Sequence, residues 1–303
     1  MKRIVFFNFW QNGDCFINKE YVRDIIQHFP EAEIDYAHKN HPNIVADLKC
    51  NHIPLQSLPQ QLTMWIPIAH DPSADVVYIN TWVGCWIGKY LQHGEHANFT
   101  TLPRVWKEVY DFLKIEMKPS YENYHPEIHH EYFDNEHAIQ YLNEIGHSSL
   151  IVFCNGQAMS KQSSMGNMEK IIELVADAFP NYNLFVTDIV NVNKPNVKFS
   201  EEVLKSCVGN LNQISHITNF SRLIIGKNSG PFTYAHTKLN MNDSNKTFMC
   251  FSHKLEHCLM GEGEYLTNSF FSDTIDDIEA FNIISELITS PKHEAIKKRT
   301  KHL

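Results

Sequence analysis

Three short loops set polar side chains beside glycine in the pattern that charge-handling chemistry requires, and each follows an apolar run that reads as a buried strand. The first is Asn12-Gly13-Asp14. Glycine admits a backbone turn closed to most residues, and it leaves Asp14 near the start of the next helix. There a carboxylate either caps the helix by accepting backbone N–H bonds or does acid–base work. The second is Gly226-Lys227-Asn228-Ser229-Gly230-Pro231, small residues followed by a proline suited to the first helical position. Such a junction offers free N–H groups to a diphosphate, and it serves equally as an ordinary helix start. The third, 155–164, begins at Asn155 and carries Lys161 among Asn, Gly, Ser and Gln. A loop lysine is by default a solvated charge; it matters here because a departing diphosphate needs a cation. Neither the GxGxxG spacing nor the Walker A spacing occurs at these loops, so dinucleotide binding and P-loop phosphoryl transfer are weakly supported.

Loops beyond the carboxyl ends of parallel strands are where open α/β sheets bind ligands, so the elements before these loops decide whether the three can act together. Arg3 to Phe9 is an apolar and aromatic run and reads as the first strand. From Ile17, the residues Tyr21, Val22, Ile25, Ile26 and Phe29 recur at helical spacing until Pro30 stops them, and Glu33 to Tyr36 reads as the next strand. Ser149 to Cys154, a helix from Met168 to Phe179, Pro180 and a strand at Asn183 to Thr187 repeat that plan. The repeat suggests two similar halves, although β-α-β beginnings also resemble one another by chance. Further strands are expected at Val76 to Asn80, Arg222 to Gly226 and Thr247 to Ser252, with a helix at Leu211 to Asn219. The alternation predicts mostly parallel sheets. Residues 118–147 read as the connection, which puts the boundary near Gly146 and gives two Rossmann-like domains, 1–146 and 147–303. The amphipathic segment Ile275 to Ile288 reads as a terminal helix able to pack back across the junction. Trp82 and Trp86 follow the strand ending at Asn80 and offer faces on which sugars stack, or else fill the core.

At 303 residues, 43% hydrophobic and 20% charged, the chain has the ordinary globular balance and enough length for two cores. A formal charge of −9 argues against a general nucleic-acid binder. Seven scattered cysteines with no CxxC pair suggest reduced thiols in a cytoplasmic protein. The apolar stretch Ile4 to Trp10 is short for a secretory signal or a membrane span. Among the eighteen histidines, His125, His129, His130 and His137, or His253 and His257 beside Cys258, invite a metal reading. No HExxH supports it, and no metal site is expected.

Taken in order, Gly13-Asp14, the helix ending in Phe29-Pro30-Glu31-Ala32-Glu33-Ile34-Asp35, the Lys161 loop and Asn228-Ser229-Gly230-Pro231 resemble glycosyltransferase family 9, the bacterial heptosyltransferases and their relatives. The resemblance implies a GT-B fold, two Rossmann-like domains facing each other across a cleft, with acceptor on the first half and nucleotide-diphosphate sugar on the second. It matches Asp14 to the family's catalytic carboxylate, beside Gly13 and the acceptor wall of Trp82 and Trp86. Lys161, Asn155, Asn228, Ser229 and Gly230 fall on the donor-phosphate side, and Asp188 near the nucleoside. It implies an inverting transfer to a surface-glycan or lipid-linked acceptor, needing no metal or other cofactor, with peripheral membrane contact possible and no transmembrane segment. Two departures stand out: Thr233 occupies the position of a family histidine, and 240–246 is more polar than the family connection. A catalytically silent nucleotide- or glycan-binding subunit is the rival reading. A sugar-nucleotide epimerase is a third, and it would need further acid–base residues in the second half.

Overall fold

The apolar runs become central strands because a strand covered on both faces by helices must be apolar along its whole length. In the computed structural model, which describes residues 1–10, 12–39, 42–86, 97–146, 149–157, 163, 165–205, 210–253, 259–260, 263–290 and 301–302, the chain divides into two compact units, 1–133 and 134–303.

In the first unit the order is β1 (Arg3–Asn8), α1 (Asn12–Ile17), α2 (Lys19–His28), β2 (Glu33–His38), β3 (Asn51–Ile53), β4 (Ile68–Asp71), β5 (Val76–Asn80) and α3 (Leu102–Leu113). Among the described residues these strands form one sheet in the order β3-β2-β1-β5-β4, parallel except for β4, which runs antiparallel to β5. The second unit contains α4 (Glu136–Ile145), β6 (Leu150–Cys154), α5 (Glu169–Ala178), β7 (Asn183–Val186), β8 (Val197–Phe199), α6 (Ser200–Leu204), α7 (Leu211–Thr218), β9 (Leu223–Gly226), α8 (Gly230–Ala235), α9 (Lys238–Met241), β10 (Thr247–Phe251), β11 (Asn268–Ser272), α10 (Asp277–Thr289) and β12 (Lys301–His302). Its sheet runs β12-β11-β10-β9-β6-β7-β8, with only β12 antiparallel among the described residues. Reading each unit from its own first strand, both have the third, second and first strands side by side and then reverse direction, the Rossmann arrangement.

The expected repeat is visible in backbone detail. Phe29 ends α2 at φ −125°, ψ 62°, and Phe179 ends α5 at φ −129°, ψ 61°. In both places the next residue is proline, which cannot continue the helix, and the following strand starts three residues later.

The expected boundary is corrected. The unit boundary falls at Phe133–Asp134, ahead of Gly146, because α4 packs on α6 and α7 and so belongs to the second unit. The terminal helix α10 lies on α5 of its own unit, burying Ala280, Ile283, Ile284 and Leu287 in the same cluster as Ile171, Ile172 and Val175.

A buried ion pair fastens the end of the first unit. Lys19 and Asp47, both fully buried, meet at 2.6 Å; Arg23 reaches the other Asp47 oxygen at 3.3 Å and also pairs with Glu20. The Lys19 ammonium lies 5.6 Å from the centre of the Phe133 ring, and the His129 amide donates to Asp47 at 3.4 Å. Asp47→Ala leaves a buried ammonium without its partner and should destabilise the first unit by about 3–5 kcal/mol. All five tryptophans lie in residues 1–133, so urea unfolding followed by tryptophan fluorescence reads this unit directly. Lys19→Met combined with Asp47→Leu should recover most of the loss.

Candidate functional site

Reversal of strand order falls between β1 and β5 in the first unit and between β6 and β9 in the second. Crossovers leave these strand pairs in opposite directions, so the mouths at their carboxyl ends are where side chains can converge on a ligand. The predicted site residues that the structure describes come from loops and helix starts that follow the strands of these two sheets.

At the first mouth, Asp14 lies within the first turn of α1, and Gly13, the second residue of that helix, lacks the positive φ expected of a tight turn. The Asp14 Oδ1 atom accepts the Val83 N–H from the loop after β5 at 3.4 Å. The side chain is half-buried, and loss of hydration pushes its carboxyl from 3.8 up to about 7, against the lowering effect of the Val83 N–H. Asn18, buried at the end of α1, fixes this arrangement. Its amide donates to the Asp14 carbonyl at 2.7 Å and the Thr81 carbonyl at 2.8 Å, and its oxygen accepts the Trp106 indole N–H at 2.6 Å. The result is a carboxylate held against the ends of two strands and poised near neutrality, as a general base requires.

The acceptor-wall residues divide. Trp82 is half-buried, its ring lying over Gly84, where any β-carbon would collide with the indole. Trp86 is corrected to a core residue: it is buried, and its indole N–H donates to the Asn80 carbonyl at 3.0 Å. The partners of Trp82 are Trp10, with ring centroids 5.5 Å apart, and Trp65, at 5.1 Å. Sequence reasoning missed both as site residues, and only the antiparallel register could have revealed Trp65. Ile68 pairs with Ile79, and continuing that ladder past the Asn80 amide, which donates to the Pro67 carbonyl at 2.9 Å, sets Trp65 opposite Trp82.

At the second mouth, Asn155 is buried and its side chain is fully engaged. It accepts the Asp188 N–H at 2.8 Å and the Thr187 hydroxyl at 3.3 Å, and donates to the carbonyls of Asp188 at 2.9 Å and Asn167 at 3.2 Å. It is therefore corrected from a donor ligand to the clamp between the β6 and β7 loops. Asp188 is exposed, its carboxylate over Gly156, 3.3 Å from where a β-carbon would sit. Gly226 must be glycine, because a β-carbon there would come within 2.5 Å of Phe232 and 2.8 Å of the Cys154 β-carbon; its absence lets α8 close on the end of β9. Ser229 is the N-cap of α8 and is buried, yet its hydroxyl caps nothing and makes no hydrogen bond among the described residues. Asn228 is half-buried beside it, and Gly230 opens the helix, where an added β-carbon would come no nearer than 3.9 Å to the Leu211 side chain. Lys161 lies outside the described residues.

A second cation was missed in the sequence. Lys227 is buried, donates to the Gly166 carbonyl at 2.9 Å, and has its pKa lowered by burial while Asp188 opposes the shift. It ties the segment before α5 to the end of β9 and puts positive charge next to Ser229. Thr233 is half-buried in α8, and the nearby His236 does not replace the family histidine. It is buried, stacks on Phe248 at 4.4 Å, and burial brings its pKa down to about 4.

Among the described residues no group of three His, Cys, Asp or Glu side chains could hold a metal ion; His257 and Cys258 lie outside them. No helix among the described residues is long and apolar enough to cross a membrane.

Two doubly wound α/β units in one chain, each reversing beside its own first strand, define a protein of the GT-B fold class. No protein-family model matches the sequence, and no curated protein matches it. Solved structures similar to it include a Listeria monocytogenes protein described as a candidate UDP-N-acetylglucosamine 2-epimerase, at 9% identity and TM-score 0.50, covering 99% of this chain and 91% of that one. Also similar are a glycosyl transferase family 9 protein from Veillonella parvula DSM 2008, at 13% identity and TM-score 0.48 with 94% and 91% covered, and the E. coli heptosyltransferase WaaC with ADP, at 9% and 0.49 with 94% and 98% covered. The likeness is one of fold.

The Asp14 shift has a measurable sign. Its carboxyl titrates near 3.8 in the unfolded chain and about 7 in the fold, so the folded state holds the extra proton between those values. Stability from this group is fully present below the lower value and is lost as pH rises through the higher one. Asp14→Asn should flatten the dependence of the melting temperature on pH between about 4 and 7 and leave the variant more stable than wild type at pH 8. Thermal scans across that range test this.

Proposed function

We propose that this protein is an inverting glycosyltransferase, which moves a sugar from a nucleotide diphosphate to a hydroxyl of a surface-glycan or lipopolysaccharide-type acceptor. The observation that carries the reading is the placement of Asp14: a carboxyl in the first turn of α1, held by the Val83 N–H at the carboxyl ends of β1 and β5, where burial pushes its pKa up to about 7. The sequence resemblance to family 9 and the GT-B fold support it.

In this reading the first unit supplies the base and the acceptor surface. Asp14 takes the proton of the acceptor hydroxyl, whose oxygen attacks the anomeric carbon. The bond from that carbon to the diphosphate oxygen breaks on the opposite face, and the electron pair leaves with the nucleoside diphosphate. The second unit receives that charge. Lys161, Lys227 and the unengaged Ser229 hydroxyl are its donor-facing groups, with Asp188 toward the nucleoside, and a metal ion is not needed if these neutralise the leaving group. We place the reaction in the cytoplasm, with the acceptor reached by peripheral contact with a membrane.

One observation favours a second reading, a silent nucleotide-binding subunit: Thr233 stands where the family has histidine, and His236 is too buried to take its place. A thermal-shift panel of ADP, GDP, UDP, CMP and their sugar conjugates distinguishes the two. One nucleotide type should stabilise the wild type, and Lys161→Ala should weaken that response. Asp14→Ala should keep it while losing about 10²–10⁴-fold in sugar transfer. In the wild type kcat/KM should rise with pH through about 7, as the base loses its proton. Nucleotide binding without transfer selects the silent subunit, and stabilisation by none of the panel removes both.

A further inference from the structure

The three indoles at the first mouth are held more firmly than surface tryptophans need to be. Trp65 is 62% exposed and Trp10 40% exposed, on either side of Trp82. Two fully buried asparagines, the last residues of β1 and β5, fix the backbone that carries all three. The Asn8 side-chain oxygen accepts the Trp10 backbone N–H at 2.7 Å. Asn80 accepts the Trp82 N–H at 2.9 Å, and its amide donates to the carbonyls on both sides of Trp65, Met64 at 2.8 Å and Ile66 at 3.1 Å. Large apolar rings are therefore exposed at positions locked by second-layer hydrogen bonds, the preorganisation that a binding surface requires and an incidental apolar patch lacks. Among the described residues the Trp10 indole N–H donates to the Met64 sulfur, at 3.2 Å, a weak acceptor that a ligand hydroxyl can displace.

Resting on the reading of Asp14 as base, we infer that Trp10, Trp65 and Trp82 form a stacking shelf for a saccharide ring of the acceptor, Trp65 and Trp10 extending the contact beyond the sugar that reacts. The shelf is joined to the base through sequence and hydrogen bonding: Val83, next to Trp82, donates to Asp14. Indoles offer a broad face to the C–H side of a pyranose, while neighbouring polar groups take its hydroxyls. Charge points to the same occupant over a membrane surface. Residues 50–86, which carry Trp65 and Trp82, contain no Lys or Arg and two Asp, so this stretch offers an anionic headgroup no cation.

The test is binding of the full chain to an array of immobilised oligosaccharides spanning neutral, amino and acidic sugars, for wild type, Trp65→Ala, Trp65→Phe and Trp10→Ala. Thermal scans confirm folding, and the nucleotide panel is run on the same samples. Wild type should bind at least one glycan class, Trp65→Ala and Trp10→Ala should weaken that binding about tenfold, and Trp65→Phe should retain most of it. Nucleotide stabilisation should be unchanged in every variant. Absence of glycan binding, binding indifferent to both alanine substitutions, or Trp65-dependent pelleting with phosphatidylcholine–phosphatidylglycerol vesicles in its place would each overturn the shelf. Trp65-dependent glycan binding without any nucleotide response would keep the shelf and remove the transferase reading, so the two failures are separable.

Discussion

Everything distinctive about this molecule follows from the reversal of strand order beside the first strand of each sheet. Because β1 is flanked by β2 and β5, and β6 by β7 and β9, successive crossovers leave the sheet in opposite directions and their loops part at the carboxyl ends. Backbone groups at those ends lie beyond the ladder yet inside the protein, so something must satisfy them. Asparagine does this at three of the four strand ends. Asn8 and Asn80 in the first unit and Asn155 in the second use one side chain as both donor and acceptor to tie adjoining loops to the strands.

Burial at these mouths moves the charged groups toward neutrality. Asp14 is pushed up to about 7, and Lys227 is pushed down from its ordinary value with Asp188 as the opposing influence. Both shifts come from lost hydration, so each group is held in readiness for a partner of the right charge or a proton to exchange. Structural groups respond differently. His236 is buried to neutrality within the core, whereas Lys19 meets Asp47 at 2.6 Å with both side chains shielded from water.

The strands were legible because a parallel strand covered on both faces is a continuous apolar run: 76–80 matches β5, and 183–187 overshoots β7 by one residue. Short or edge strands were not legible. Asn51–Ile53, Ile68–Asp71 and Val197–Phe199 are too brief or too polar to rise above their surroundings, since an edge strand is apolar on one side at most. Residues 118–147 read as a linker because Tyr, His and Glu mask the helical spacing of Ala138, Tyr141 and Leu142 in α4. Asp14 and Ser229 lie beyond the strand ends where the sequence put them, since each follows a recognisable strand by a few residues and position in the chain then fixes position in space. Asn155 and Trp86 were assigned by the same logic, and the structure engages both side chains with neighbouring backbone, because proximity to a strand end does not reveal where a side chain points.

The sequence by itself determined two Rossmann-like units, their principal strands and the loops from which a base and an anion-binding turn would come. Tertiary structure alone decided that Lys227 is buried next to Ser229, that Asn155 is a clamp, and that Trp10, Trp65 and Trp82 share one surface. Periodicity records how deeply each residue is buried along its own strand. Which residues meet is set by the register between strands, and the pairing of Ile68 with Ile79 brings Trp65 to Trp82.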